Sequence, residues 1–264
     1  PAADLKAAAT FYASFDEGVE ADRAGGGRLP NTRFNHPSAP GTFVLQPGFD
    51  DNNFRIARGR GVAGGGAFEA SDVLGRNGRL VFPVKGNLAY DPTGWGGAVS
   101  VWCKTDPNTM LKTKFCDPIQ ITEKGAHDGG LWFDFNDAAP RRDLRHGAFT
   151  ALAPGQKAVP EDDPAAPMVR VPRVAWTADD WHHVVLSWSG FDTGKADAVS
   201  ELYIDGKLIG AVKGRAVAMK WDVEKAGIFL AVNYVGMLDE LALFGRALTA
   251  AEVGELFRRP GMLK

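Results

Sequence analysis

Apolar and polar residues alternate with a period of two through much of the chain. Residues 98–104 place Val99, Val101 and Cys103 on one face and Ser100, Trp102 and Lys104 on the other. Residues 115–122 set Phe115, Ile119 and Ile121 against Cys116, Pro118, Gln120 and Thr122. Residues 131–136 set Leu131, Phe133 and Phe135 against Trp132, Asp134 and Asn136. This period predicts strands with one face buried and the other turned to solvent or a ligand. Shorter apolar runs predict further strands at 11–15, 80–84, 181–188, 200–204, 228–232 and 238–244. Asp205-Gly206 predicts a hairpin between Leu202-Tyr203-Ile204 and Leu208-Ile209. One helix is predicted near the end. Thr249 and Glu252 have capping-box spacing, and Val253, Leu256 and Phe257 form a short apolar stripe behind them.

The connections read as turns and loops. Residues 24–40 are rich in Gly, Pro and Asn and predict a long loop. Residues 59–66 are glycine-rich but lack the strand–helix setting of a dinucleotide fingerprint. Residues 138–172 hold prolines and charges and predict a long loop interrupted by a short strand near 146–149. Many strands and one terminal helix define an all-β class: two antiparallel sheets packed as a closed sandwich. Neither a linker nor a repeat divides residues 1–264, so a single domain is expected.

Charge and composition narrow the partners. A formal net charge of −2 excludes the basic footprint of a nucleic-acid binder. No apolar run reaches the roughly 20 residues that span a bilayer. The start at Pro1-Ala2-Ala3-Asp4 is compatible with a mature secreted, periplasmic or cell-surface chain from which a signal peptide has been removed. The 7 tryptophans suit either a core or a sugar-binding surface, and most are expected in the core. Cys103 and Cys116 fall on neighbouring candidate strands. A disulfide and two free thiols both remain open.

Several segments together resemble the laminin-G-like, concanavalin A-like family. Trp181-His182-His183-Val184 followed by Leu202-Tyr203-Ile204-Asp205-Gly206-Lys207-Leu208 is similar to that family's characteristic hairpin. The run from Leu238-Asp239-Glu240 through Arg246-Ala247-Leu248-Thr249 to Glu252-Val253 is similar to its closing segment. Phe15-Asp16-Glu17-Gly18 and Val99-Ser100-Val101-Trp102 match earlier landmarks. The resemblance implies a jelly roll over residues 1–264, with a long insert around 106–172. Lectins, adhesion modules, glycoside hydrolases and polysaccharide lyases share this fold. The resemblance also implies a structural calcium between the first and last strands, with Asp16 and Asp239 as carboxylate ligands and carbonyls near Gly66. The alternative is two solvated or turn-capping aspartates.

The working surface expected from alternation is the polar face of the central sheet. Gln120, Trp132, Asp134 and Asn136 share it, and Glu201 and Tyr203 are expected to join it. Arg145 and His146 are expected at its rim. An indole, amides and carboxylates on one face suit a glycan or polysaccharide. Catalysis there would use Asp134 with Glu201 as a carboxyl pair, about 5–5.5 Å apart in retaining and about 6.5–9.5 Å in inverting glycosidases. A lyase would instead use Tyr203 or His146 as base. His182 and His183 point to opposite faces and read as structural. Asp117, before Pro118, reads as a turn residue.

Overall fold

The computed structural model describes residues 2–35, 38–39, 42–49, 54–71 and 78–264. Two antiparallel sheets face each other. The first, sheet A, runs in the order β15 (Lys207–Arg215), β14 (Ala198–Ile204), β13 (His182–Phe191), β8 (Trp95–Lys104), β17 (Gly236–Phe244), β1 (Ala9–Ala13) and β2 (Arg23–Ala24). The edge of β17 that faces β1 also carries β6 (Phe68–Ala70), which pairs with β5 (Phe54–Ile56). Sheet B runs β12 (Met168–Val171), β11 (Leu144–Phe149), β10 (Asp128–Asn136), β9 (Phe115–Gly125), β16 (Gly227–Val232), β7 (Gly78–Pro83), β3 (Asn31–Asn35) and β4 (Phe43–Pro47). This is the expected jelly-roll sandwich.

The alternation on β10 reads directly into packing. Leu131, Phe133 and Phe135 are fully buried between the sheets, beside Ile119 and Ile121 of β9 and Val99 and Val101 of β8. The Asp205-Gly206 turn has positive φ at both residues, 51° and 77°, as a tight hairpin between right-twisted strands requires. The helix α2 (Ala250–Arg258) follows the predicted capping box, with Thr249 and Glu252 satisfying each other's amides. A helix that the sequence pattern did not predict, α1 (Ala2–Ala8), precedes β1.

Two loop expectations are corrected. The stretch 24–40 contains β3, which pairs with β4 and β7; residues 36, 37 and 40 of that stretch lie outside the described residues. The stretch 138–172 contains β11 and also β12. Residues 106–172, expected as an insert, supply β9, β10, β11 and β12, half of the 8-stranded sheet. Cys103 lies in sheet A and Cys116 in sheet B, and both are buried free thiols.

His146 faces the core, and its expected place at a site rim is corrected. It pairs in register with Phe133, so its ring follows the inward side of β11. Its Nδ1 lies 2.9 Å from the Trp132 carbonyl and its Nε2 2.8 Å from Ser200 Oγ of sheet A, tying the two sheets together. His183 is buried too, 2.8 Å from Ser100 Oγ through Nε2. Burial disfavours the charged rings and pushes His146 down to about 4 and His183 down to about 3. An unfolded histidine titrates near 6.5. The unfolded chain therefore takes up more protons below that pH, and stability held above pH 6.5 is lost as pH falls toward 4. We expect His146→Gln to flatten the acid side of a curve of unfolding free energy against pH, by up to about 1.4 kcal/mol per pH unit. An unchanged slope would contradict a neutral buried imidazole.

Candidate functional site

The outer faces of the two sheets differ. On sheet A, Tyr12, Ala98, Val185, Tyr203, Ala242 and Phe244 form a second apolar core with Leu5 of α1 and Val253 and Leu256 of α2. Trp102, on the non-core face of β8, is stacked on Phe257 with ring centroids 5.7 Å apart. This face is plugged by the chain's own helices. The outer face of sheet B instead carries a cleft of about 380 Å³, lined among others by Gln120, Thr122, Trp132, Asp134, Asp117 and Phe229. Phe43 and Phe115, 44% and 49% exposed, stand at its margins. Arg33 and Arg79 line it from β3 and β7, and His127 and Glu161 from loops. A second cleft of about 380 Å³ shares Arg33, Phe43, Glu123 and Phe229 and continues toward Val81 and Pro83.

Of the residues expected here, Gln120, Trp132, Asp134 and Arg145 are brought together. Trp132 is not the exposed platform that alternation suggested: it is only 1% exposed. Its indole N–H donates to the Ala126 carbonyl at 2.8 Å, Phe149 stacks on it at 5.8 Å, and the Arg145 guanidinium lies 5.7 Å from its ring centre. Gly147, directly opposite on β11, makes room for the ring; a Cβ there would lie 2.4 Å from Trp132 Cζ2. Asn136 sits at the end of β10 and caps a turn, its Oδ1 accepting the Ala138 and Asp143 amides at 3.1 and 2.9 Å. Glu201 and Tyr203 belong to β14 of sheet A, where the Tyr203 hydroxyl donates to Glu201 at 2.8 Å. They share no face with Asp134, so the Asp134–Glu201 pair does not form. The reason is that alternation orients residues within a strand but does not assign strands to sheets.

Electrostatics organise the cleft floor. Arg145 grips Asp134 through two nitrogens, one at 2.9 Å from Nε, and also pairs with Glu161. His127 Nε2 lies 2.8 Å from the other oxygen of Glu161. Its bond to His127, together with Arg145, holds Glu161 at about 2. Burial pushes Asp134 up to about 6 against the pull of Arg145. Asp117, taken from sequence as a turn residue, is a buried carboxyl in β9 beside a register shift opposite Phe133 and Phe135. Burial and the neighbouring Asp134 hold it well above the usual carboxylate range. Sequence reasoning also missed Arg33, Phe43, Arg79 and Phe229. Arg33 lies in a stretch whose composition resembles a loop, and Phe43 opens a short edge strand that shows no alternation. Phe229 lies on a run apolar on both faces, which shows no phase.

A separate oxygen-rich corner lies between the chain's two ends. Asp16 Oδ1 accepts the Gly66 amide at 3.2 Å, and Asp239 Oδ2 accepts the Val62 amide at 2.7 Å. The carbonyls of Gly64 and Gly66 converge here with Asp239: a Cβ on Gly61 would lie 2.3, 2.4 and 2.9 Å from Gly64 O, Gly66 O and Asp239 Oδ2. Burial pushes Asp239 up to about 8. Carbonyls and carboxylates are the donor chemistry of a hard cation. The Lys264 ammonium, 2.7 Å from Asp16 Oδ2, supplies positive charge at the same corner. Among the described residues no group of three or more His, Cys, Asp or Glu side chains gathers on one point, so a cation would depend on the backbone oxygens.

Fold and open sheet face define a concanavalin A-like jelly roll. The family model described as the concanavalin A-like lectin/glucanases superfamily, of laminin-G type, matches residues 75–254. The chain belongs to this superfamily. No curated protein matches the sequence. Among solved structures, the chain is similar to domain 4 of AbnA, an extracellular arabinanase from Geobacillus stearothermophilus, in complex with arabinotriose. That match has 17% identity and a TM-score of 0.53, covering 94% of this chain and 97% of that one. It is also similar to the binding domain of botulinum neurotoxin serotype D/C, with 10% identity and a TM-score of 0.55 over 98% of this chain. This chain accounts for 53% of the toxin chain's length. At these identities the likeness establishes the fold. No described helix is long and apolar enough to cross a membrane.

Proposed function

We propose that this chain is a secreted carbohydrate-binding jelly roll that holds a polysaccharide across the outer face of sheet B. The observation that carries this reading is the asymmetry of the two faces: helices fill one, while the other presents two joined clefts with aromatic margins and a polar floor. From β10 to β3 the clefts cross four strand intervals, about 19 Å at about 4.8 Å per interval. That length suits an oligosaccharide segment better than one ring. Phe43 and Phe115 offer ring faces for stacking, and Gln120 and Asp117 offer hydrogen bonds to hydroxyls. The arabinanase domain's bound arabinotriose makes arabinan a natural first probe. Phe115→Ala, an exposed change, should weaken glycan affinity by about 1 kcal/mol while leaving Tm within a degree or two. A glycan array followed by calorimetry measures this, and unaltered affinity would move the ligand off the cleft.

A second reading, polysaccharide cleavage, is favoured by the neighbouring carboxyls Asp117 and Asp134. A carboxyl kept protonated by its surroundings can act as a general acid. Mass spectrometry of glycan incubated with the protein separates the two readings, because only cleavage yields new reducing or unsaturated ends.

We also propose calcium at the chain-end corner, held by Asp16, Asp239 and the carbonyls of Gly64 and Gly66. Calcium that binds only the folded state should raise Tm with concentration, by about 2.7 kcal/mol of stability at a hundred times its Kd. Asp239→Asn should abolish that response. A melting curve indifferent to both calcium and chelator would remove the site.

A further inference from the structure

Arg33 and Arg79 are direct cross-strand partners in β3 and β7, and both line the cleft. Like charges placed directly opposite on a sheet are destabilising. Arg33 lies with its guanidinium carbon 3.5 Å from the Phe43 ring centre and 5.1 Å from that of Phe229, a setting that removes part of its hydration. Its basicity is lowered by that burial and by Arg79. Arg79 is lowered by burial too, with Asp117 as its opposing charge among the described residues. That charge is weak, because Asp117 is itself held toward its neutral form. Arg145 on the same face is the contrast: it is saturated by Asp134 and Glu161. The cleft therefore has one end with its cation neutralised and another with two poorly compensated guanidinium forks.

Resting on the glycan-site reading above, we infer that the cleft selects acidic saccharides, with Arg33 and Arg79 receiving a carboxylate or sulfate carried on a sugar ring. The planar fork of arginine matches such oxyanions through paired hydrogen bonds. A saccharide unit against the exposed edge of Phe43 would place a substituent beside the Arg33 fork, while neighbouring units of the same chain meet Gln120 further along the floor. The anion would relieve the repulsion between the two arginines, so binding and local stability are coupled.

The test is calorimetry on the full chain with polygalacturonate, a sulfated galactan and neutral arabinan, at low and at high salt. At least one acidic polymer should bind tenfold or more tighter than arabinan, with the preference falling as salt rises. Which acidic polymer wins separates carboxylate from sulfate. Arg33→Gln and Arg79→Gln should each collapse the acidic-to-neutral preference several-fold or more, with Tm equal to or above that of the parent. Arg33→Lys and Arg79→Lys, which keep the charge and lose the fork, should retain part of the preference. They serve as the second measure if a Gln variant folds poorly. Arabinan bound as tightly as the acidic polymers, or an unchanged preference in the variants, would overturn this inference alone. Failure of every glycan to bind would overturn the glycan-site reading and this inference with it.

Discussion

Phe133→Ala is expected to cost about 3–5 kcal/mol of folding stability, because it removes a fully buried ring and leaves a cavity between close-packed sheets. Trp132→Ala, on the opposite face of the same strand, is expected to cost a similar amount. Its indole is 1% exposed and fixed by Ala126, Phe149 and Gly147. The two should differ in their relation to the ligand. Bound glycan should restore part of the loss in the Phe133 variant, whose cleft is intact, and less in the Trp132 variant, whose cleft wall is gone. Urea titrations with and without glycan measure both. A Trp132 variant as stable as the parent would mean that the ring faces solvent.

Arg145→Met is expected to be comparably damaging, about 3–5 kcal/mol, because it leaves Asp134 buried without its charge partner. Replacing both partners should be much milder. An Asp134→Leu/Arg145→Met double variant should recover most of the loss, since exchanging a buried ion pair for well-packed apolar residues is often near neutral. A double-mutant cycle measures the coupling. Additive losses would show that the pair acts through separate contacts. Glu161 would then be the partner that matters to Arg145.

The sheet fold was legible because its signals are local and periodic. The alternation of Leu131, Phe133 and Phe135, the Asp205-Gly206 turn and the Thr249–Glu252 capping box each arise within a few residues of chain. The site was only partly legible. Gln120, Trp132, Asp134 and Arg145 were brought together correctly because β9, β10 and β11 are sequential neighbours. Glu201 and Tyr203 were misplaced because membership of sheet A or sheet B depends on pairings between distant strands, here β13 with β8, which no local pattern encodes. The same blindness hid the packing of the helices on sheet A, and so hid which face was open. Arg33 and Phe43 went unseen because a strand at the margin of a sheet carries a weak periodic signal among glycines and prolines. Burial by neighbours, as for Trp132, is likewise invisible to a rule that reads only odd and even positions.

Strand β17 lies inside sheet A, with β8 on one side and both β1 and β6 on the other. A ribosome delivers this strand after every other strand of the sandwich. Until it emerges, β1 and β8 have no shared partner, and the two halves of sheet A wait as open edges. Vectorial synthesis therefore cannot complete this sheet progressively. It closes in one late step, with the slow, long-range pairing typical of high contact order, and until then its open edges are exposed to aggregation.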